Sequence, residues 1–183
     1  EVEINRKIED KEVGSEISIT VIQSLSNDSK FNFFLEKAVE IGIDRIIPVE
    51  SKYSLKSKNK AIREYGLWNK IIRDAVEQSR TLKGTMIDKP IYLKDLKLNN
   101  DSIKICLATE NVPLKGLREY IKGKDLRKQF VIAVGPEKGW AQEDIEYFKD
   151  FGFDFVSLEG NILRTETAGL VVGSIIKYLK GEI

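Results

Sequence analysis

Two short apolar segments in the last third of this chain constrain its fold more than any other feature. Residues 130–134 end in a turn with two glycines and a proline, GPEKG at 135–139, and residues 153–158 end in EGN at 159–161. Short apolar runs bounded by turn residues are typical of buried strands, and helical patterns follow both loops. Open α/β sheets bind their ligands at the carboxyl ends of the strands. The sequence therefore predicts a ligand site built from these two glycine-bearing loops.

The rest of the chain alternates strand and helix patterns in the same way. Strands are predicted over residues 17–25, 45–49 and 103–108, and a weak edge element containing Pro90 is predicted over residues 86–93. Helices are predicted between residues 27 and 42, in the second half of the segment 51–84, from Pro113 to Gly123, and over 142–151. Such alternation requires a largely parallel sheet. We expect an α/β domain over residues 17–183, a mostly parallel sheet with flanking helices, and we assign residues 1–16 to the end of a strand and a linker.

The composition excludes several classes of function. The chain has 183 residues with 30 Lys and Arg against 29 Asp and Glu, so net charge does not indicate a nucleic-acid binder and any basic footprint must be local. It has no histidine, which excludes a Ser-His-Asp triad, an imidazole base and histidine metal ligands. With Cys106 as the only cysteine, we predict no metal centre and a reducing compartment. The charged first residues and the lack of a long apolar stretch predict a cytoplasmic protein that does not enter membranes.

The two glycine-bearing loops do not match the common phosphate-binding motifs. Residues 135–139 are neither GxGxxG nor a P-loop, and Glu137 would repel a phosphate. A tight turn explains the glycines, and the alternative is a loop whose backbone approaches a ligand that carries positive charge. In the second loop, Thr165 can cap the following helix, and Glu166 suits the first turn of that helix. Arg164 is unfavourable beside a helix N-terminus, so we expect it to have another partner.

Two further segments carry distinct patterns. Residues 51–84 are rich in Lys and Arg, which is typical of a solvated surface, but two interleaved tyrosines also suit phosphate contacts combined with base stacking. Residues 168–176 are apolar almost all round, so a helix there must be buried on most sides. Gly169 and Gly173 lie one turn apart and would let another backbone come close.

The two loops also carry a resemblance to a known family. The segments GPEKGW (135–140) and ILRTETA (162–168) resemble the signature pair of the bacterial 16S ribosomal RNA uridine-N3 methyltransferases, which are S-adenosylmethionine-dependent enzymes of the SPOUT class. The segment LEKA (35–38) is similar to that family too, and the resemblance extends from Ile17 to the last residue. There are two departures. Lys138 replaces the fourth residue of the family's usual GPEGG turn, and only residues 1–16 are left to represent the end of the family's N-terminal PUA-like barrel.

The resemblance implies a fold, a cofactor and an assembly. It implies an α/β domain with a C-terminal trefoil knot, an N-terminal PUA-like barrel that is largely absent, and a homodimer with the site near the subunit interface. S-adenosylmethionine would bind in the knot loops. The residues that would surround it are Leu107, Ala108, Thr109, Glu110, Gly135, Pro136, Glu137, Gly139, Leu158, Gly160, Ile162, Leu163, Thr167 and Ala168.

The reaction implied by the resemblance is methylation of uracil N3 in 16S ribosomal RNA, either as free RNA or in the small ribosomal subunit. Arg164 and Glu166 would be the catalytic residues. Uracil N3 must lose its proton before it can attack, and without histidine the base must be a carboxylate, a water or a group with a shifted pKa. Arg164 can stabilise the uracil anion, while Glu166 can orient Arg164 or relay the proton. The structural alternative is an ion pair between Arg164 and a nearby carboxylate.

We expect the basic segment to hold the RNA. The candidate residues are Lys52, Lys56, Lys58, Arg73, Arg80 and Lys83. Two other functions stay open on the sequence: a SPOUT enzyme that methylates a ribose 2′-hydroxyl or another RNA base, and a non-catalytic RNA-binding or assembly protein that has kept the fold.

Overall fold

The computed structural model describes residues 17–81, 83–98, 101–108 and 112–183. The assignment of residues 1–16 to a strand end and linker lies outside these ranges. The strands are β1 (Ile19–Ser24), β2 (Arg45–Glu50), β3 (Met86–Ile87), β4 (Ile91–Tyr92), β5 (Ile103–Leu107), β6 (Lys115–Gly116), β7 (Phe130–Val134) and β8 (Asp154–Ser157). The helices are α1 (Asp28–Ile41), α2 (Lys58–Ser79), α3 (Leu117–Ile121), α4 (Gln142–Asp150) and α5 (Thr165–Lys180).

The strands form one parallel sheet with β1 near its centre. The strand order is β3-β2-β1-β7-β5-β8-β6, and β4 pairs with β2 beside β3. Every strand pairing is parallel, and all six residues of β1 are buried. Strands buried on both faces read as continuous apolar runs, which is why residues 130–134 could be recognised in the sequence. The predicted α/β class with a mostly parallel sheet is confirmed.

Helices cover both faces of the sheet. Successive residues of a strand point to opposite faces, and β7 shows this clearly. Ile132 belongs to the apolar core that includes Trp68 of α2 and Val172 of α5. Ala133 belongs to a second core, which includes Phe148 of α4. The sheet is therefore the middle of three layers. The loops that follow the strands lie at the carboxyl ends of the strands.

Most helix boundaries follow the predicted signals. α1 begins after Asn27, whose side chain accepts a hydrogen bond of 3.0 Å from the Lys30 backbone N–H. It ends at Gly42, which has the left-handed φ of 80° that favours glycine at this position. The third helix was predicted to open at Pro113, and this is wrong: α3 begins at Leu117. The two residues before α3 are already used as strand β6, which pairs with β8.

The predicted edge element over residues 86–93 is divided into two strands. β3 and β4 lie on either side of Pro90, and both pair with β2. Proline has no N–H to donate to a neighbouring strand, so a continuous strand through this position would lose a ladder bond. No helix in the described ranges is long and apolar enough to cross a membrane.

The last helix packs closely through its two glycines, one against the sheet and one against the turn between α1 and β2. A Cβ atom at Gly169 would lie 3.0 Å from Cγ2 of Val134, and one at Gly173 would lie 2.6 Å from Cδ1 of Ile43. Carbon atoms in normal contact are about 3.5–4.0 Å apart, so α5 could not approach this closely with larger residues. The glycine spacing predicted the close approach of another backbone, whereas the nearest atoms at both glycines belong to side chains. The outer side of α5 exposes three apolar side chains, Ile175, Tyr178 and Leu179.

Candidate active site

A cleft of about 880 Å³ lies at the carboxyl ends of the strands, where the loops after β5, β7 and β8 meet. Most of the residues predicted to surround a cofactor line it: Leu107, Ala108, Gly135, Pro136, Glu137, Gly139, Leu158, Ile162, Leu163 and Ala168. Gly160 and Thr167 are not among the lining residues. Thr109 and Glu110 lie outside the described residues. The two motif loops, which are far apart in the sequence, therefore form one concave surface.

The loop after β7 is held against an indole ring. A Cβ atom at Gly135 would lie 3.1 Å from Cε2 of Trp140, so only glycine lets the loop lie this close to the ring. The Trp140 Nε1–H donates a hydrogen bond of 3.1 Å to the Leu107 carbonyl at the end of β5. Gly139 has a φ of 74°, and its N–H closes the turn onto the Pro136 carbonyl at 2.8 Å. These contacts fix the ends of β5 and β7 relative to each other.

Glu137 of the same loop forms an ion pair with Lys30 on the first turn of α1. Both side chains line the cleft and are partly exposed. The repulsion that Glu137 was expected to exert on an anion is thus partly offset by a neighbouring cation. Lys30 was missed in the sequence analysis, although its place in the helix that follows the central strand β1 could have drawn attention to it.

Arg164 lies at the cleft with its charge unpaired by any described carboxylate. It is exposed, lines the cleft and makes no ion pair in the described part of the chain. The alternative of an ion pair with a nearby carboxylate is therefore not seen. Arg164 is also the N-cap residue of α5, but its side chain makes no capping bond. Its guanidinium is available to a ligand in the cleft.

Thr165 does not cap α5 as predicted. Arg164 occupies the N-cap position, and its carbonyl accepts hydrogen bonds from the N–H groups of Thr167 and Ala168, both at 2.9 Å. The Thr165 hydroxyl instead donates a hydrogen bond of 2.6 Å to the Gly135 carbonyl. It thereby connects the two loops of the cleft. No local sequence signal could have revealed this bond, because the two residues lie 30 positions apart.

Glu166 is buried beside the cleft without lining it. Its side chain is 8% exposed, and its Oε2 atom has no hydrogen-bond partner among the described residues. No ion pair joins Glu166 to Arg164, so the predicted orienting contact between them is absent from the described chain. A buried carboxylate oxygen without a donor reduces stability, so packing alone does not account for a glutamate at this position.

The chain matches the family model for an RNA methyltransferase domain over residues 14–177. It belongs to this family. The ribosomal RNA small subunit methyltransferase E of Aquifex aeolicus is 32% identical over 162 residues, which cover 86% of this chain and 67% of the relative. The crystal structure of the methyltransferase E of Neisseria gonorrhoeae bound to S-adenosyl methionine is 28% identical, with a TM-score of 0.78, and covers 90% of this chain and 67% of that chain.

A more distant structure shows how widely the fold is shared. A tRNA-modifying enzyme of the TrmH/SpoU type from Aquifex aeolicus has a TM-score of 0.56 at 14% identity, covering 91% of this chain and 79% of that chain. This likeness concerns the fold alone. The predicted SPOUT fold class and the family resemblance drawn from the GPEKGW and ILRTETA segments are confirmed. The chain spans about two thirds of the length of the two methyltransferase E proteins.

Most of the predicted RNA-binding residues of this methyltransferase domain lie on its surface. Lys52 is exposed and 3.5 Å from Glu143, and Lys58 lies 4.0 Å from the centroid of the Tyr92 ring. Arg73 and Arg80 are exposed on and after α2. Lys83 pairs with the buried carboxylate of Asp44. The surface positions are compatible with contact to a polyanion, and their role stays a prediction.

Lys56 is the exception among these candidates. Its side chain is 3% exposed, and its ammonium pairs with Asp28 of α1 and Glu64 of α2. The ammonium also lies 5.9 Å from the centroid of the Trp68 ring. A lysine enclosed in this way joins α1 to α2 and cannot reach a phosphate. We therefore withdraw Lys56 from the RNA-binding set.

Proposed function

We propose that this domain transfers a methyl group from S-adenosylmethionine to N3 of a uracil in 16S ribosomal RNA. The observation that carries the proposal is the cleft itself, in which the two signature loops meet with the unpaired Arg164 at their junction. The related enzyme from Neisseria gonorrhoeae, crystallised with S-adenosyl methionine, supports the choice of cofactor. A ribosomal RNA substrate fits a cytoplasmic location.

The lining of the cleft suits this cofactor. Its volume of about 880 Å³ is within the range of small-molecule sites, which is about 300–1,000 Å³. Leu107 at the end of β5 provides one apolar wall, and Leu158 and Leu163 in the loop between β8 and α5 provide another. Glu137 places a carboxylate at the edge of the cleft, where it can favour the positive charges of S-adenosylmethionine. The described residues contain no group of three acidic or cysteine side chains that could hold a metal ion.

The chemistry of uracil N3 gives Arg164 its role. N3 becomes a nucleophile when it gives its proton to a base, which in a chain without histidine is a carboxylate, a water or a group with a shifted pKa, and the resulting negative charge spreads to the flanking carbonyl oxygens. A fixed guanidinium beside these oxygens stabilises that charge, and its planar fork of donors can reach two acceptors at once. Arg164 meets the requirement because it lines the cleft and no described carboxylate neutralises it. Alignment of N3 with the methyl group in the cleft would lower the entropic part of the barrier.

The test compares Arg164→Ala and Arg164→Lys with Arg127→Ala, a control at an exposed arginine in the loop before β7. Calorimetry measures cofactor affinity, and mass analysis of nucleosides from the methylated RNA measures both transfer and the position of the methyl group. Arg164→Ala should bind the cofactor normally but lose on the order of 10²-fold in transfer rate, and lysine should restore part of it. Normal transfer by Arg164→Ala would refute this role, and ribose methylation would refute the proposed product.

The second part of the proposal is a homodimer with two-fold symmetry, formed through the outer side of α5. Tyr178 is 72% exposed and Ile175 is 36% exposed on this side, so an apolar stripe is left open to solvent. A second copy of the chain would cover the stripe, since two-fold interfaces bring the same surface together twice.

Light scattering at micromolar concentration tests the assembly. Ile175→Lys should convert the dimer to a monomer, because it places a charge in the apolar stripe. Leu67→Lys is the matched control, since Leu67 is an apolar residue that is 50% exposed on α2. A wild-type monomer, or a dimer that Leu67→Lys disrupts and Ile175→Lys does not, would contradict the interface.

For RNA we propose the surface formed by Lys52, Lys58, Arg73, Arg80 and Lys83, with 16S ribosomal RNA or the small ribosomal subunit as the partner. Support comes from the exposure of the two arginines and from the continuity of these residues along the loop before α2 and along α2 itself. The relatives named as small subunit ribosomal RNA methyltransferases indicate the class of RNA.

A further inference from the structure

A hydrogen-bond chain runs behind the wall of the cleft, from the central strand to both signature loops. The side-chain Nε2 of Gln23, on β1, donates to the hydroxyl of Thr165 at 3.1 Å. The Thr165 hydroxyl donates to the Gly135 carbonyl at 2.6 Å. Thr165 and Gly135 line the cleft, whereas Gln23 does not, so Gln23 acts from the buried side.

The number of available protons fixes the direction of this chain. A threonine hydroxyl has one hydrogen to donate, and a backbone carbonyl can only accept. At 2.6 Å from the Gly135 carbonyl, the Thr165 hydroxyl must give its hydrogen to that oxygen. The amide of Gln23 must then be the donor to Thr165, which determines how the amide is turned. The arrangement therefore follows from the chemistry of the groups, and a reversed amide would leave two acceptors facing each other.

Gln23 is a buried amide whose hydrogen-bonding groups are only partly satisfied. It is 1% exposed, and its Oε1 atom has no partner among the described residues. A buried acceptor without a donor reduces stability, while an apolar side chain of similar size would avoid that penalty. Core packing therefore does not account for glutamine here. The hydrogen bond from Gln23 to Thr165 accounts for the glutamine, and Thr165 lines the cleft.

Gln23, Thr165 and Gly135 connect the first signature loop to the residue beside Arg164. Gln23 is paired with Val134 across the sheet, and Gly135 follows directly as the start of the first signature loop. Thr165 directly follows Arg164, the proposed stabiliser of the uracil anion. The chain of hydrogen bonds thus joins the loop that we assign to the cofactor to the residue that we assign to the substrate.

We infer that Gln23 and Thr165 are positioning residues, which hold Arg164 and the Gly135 loop at a fixed separation so that the bound methyl donor and the substrate base are aligned. This inference rests on the proposed function. A displacement of 1 Å in such an alignment can lower a rate by about 10²-fold, although neither residue need touch the reacting atoms.

The experiment uses three variants and one matched control. Thr165→Val removes the hydroxyl with little change in shape, Thr165→Ser keeps it, and Gln23→Met removes only the amide. The control is Thr85→Val, because Thr85 is also buried and its hydroxyl also donates to a carbonyl, that of Ile43 at 2.7 Å, at the start of β3 and away from the cleft. Each protein is measured by thermal denaturation, by calorimetry with S-adenosylmethionine, by single-turnover methyl transfer at saturating cofactor, and by hydrogen exchange.

Thr165→Val should lose on the order of 10²-fold in transfer rate at saturating cofactor, with faster amide exchange in residues 135–140 and 163–168. Thr165→Ser should restore both, because it keeps the single hydrogen that the Gly135 carbonyl accepts. Gln23→Met should fall between them, since the bond from Thr165 to Gly135 survives. Thr85→Val should lower the melting temperature without changing transfer rate or exchange in the two loops.

Equal transfer rates and equal loop exchange in Thr165→Val and Thr165→Ser would overturn the inference. So would a rate loss in Thr85→Val as large as that in Thr165→Val, because it would trace the loss to lower stability. Failure of the proposed function has a different signature. The wild-type domain would then not bind S-adenosylmethionine, while the hydrogen-exchange comparison would still decide whether Thr165 holds the two loops together.

Discussion

Replacing the buried Lys56 by methionine should destabilise the domain without weakening RNA contacts. The lysine side chain is 3% exposed and lies between two carboxylates, those of Asp28 and Glu64. Methionine keeps most of the aliphatic length and removes only the charge. The two carboxylates differ in exposure, Asp28 being 59% exposed and Glu64 19% exposed, and this difference sets the expected cost.

The exposed partner contributes little, since surface ion pairs are worth roughly 0–1 kcal/mol. Most of the loss in the free energy of unfolding comes from Glu64, because a fully buried charge that loses its partner destabilises a protein by about 3–5 kcal/mol. Glu64 keeps some contact with water, so we expect Lys56→Met to lower the free energy of unfolding by about 2–3 kcal/mol, less than for a fully buried carboxylate. For a domain of this size 1 kcal/mol corresponds to roughly 2–4 °C, so the melting temperature should fall by about 5–10 °C.

Thermal denaturation followed by circular dichroism measures this shift. Lys60→Met is the matched control on α2, the helix that carries Glu64, because Lys60 is exposed and its replacement should leave the melting temperature within about 1 °C, as is usual for surface substitutions. Adding Glu64→Gln to Lys56→Met should recover part of the lost melting temperature, since it removes the carboxylate that has no cation beside it. An unchanged melting temperature in Lys56→Met, or a flatter salt dependence of RNA binding, would refute the view that Lys56 is structural.

Three other predictions follow from single side chains. Gly66→Ala should stabilise the domain by about 0.5–1 kcal/mol in urea denaturation, because Gly66 is inside α2 and a Cβ there meets no atom within 4 Å. Burial raises the pKa of Asp144, so its charge opposes folding at neutral pH, and the domain gains stability as the pH falls through that raised pKa. Asp144→Asn should remove this gain in denaturation curves recorded at several pH values. The amide oxygen of the asparagine can still accept the hydrogen bond from the Ala141 N–H. Arg73→Ala should lower the salt slope of RNA binding by about one unit, measured by titration between 50 and 200 mM salt, roughly the range in which counterion release dominates.

Local patterns predicted the layout of the cleft because each of its loops is specified by a short, continuous stretch of sequence. The apolar run of β7 and the GPEKG turn after it specify a buried strand and its loop without reference to the rest of the chain. The helix that follows the second loop could be recognised in the same way, and Gly169 and Gly173 were recognised as positions of close packing, although their neighbours are side chains and not another backbone. Family resemblance then connected these elements to a cofactor.

Contacts between distant segments could not be predicted in this way. Lys56 lies in a stretch with the composition of a solvated surface, and its burial depends on carboxylates from α1 and α2. The role of Thr165 was misassigned because a hydroxyl at the start of a helix usually caps it, whereas here the hydroxyl accepts a hydrogen bond from Gln23 on β1 and donates one to the Gly135 carbonyl. Lys30 was missed because only the folded chain brings α1 beside the GPEKG turn.

The position of α5 against β1 also determines whether the site exists. Gln23 and Thr165 are 142 residues apart, yet their hydrogen bond belongs to the wall of the cleft. Closing a loop of that length costs entropy before any contact repays it. A chain with its strands paired but α5 undocked would have β7 and its turn in place and still lack a cofactor cleft. Binding of the cofactor would therefore report that the last helix has docked.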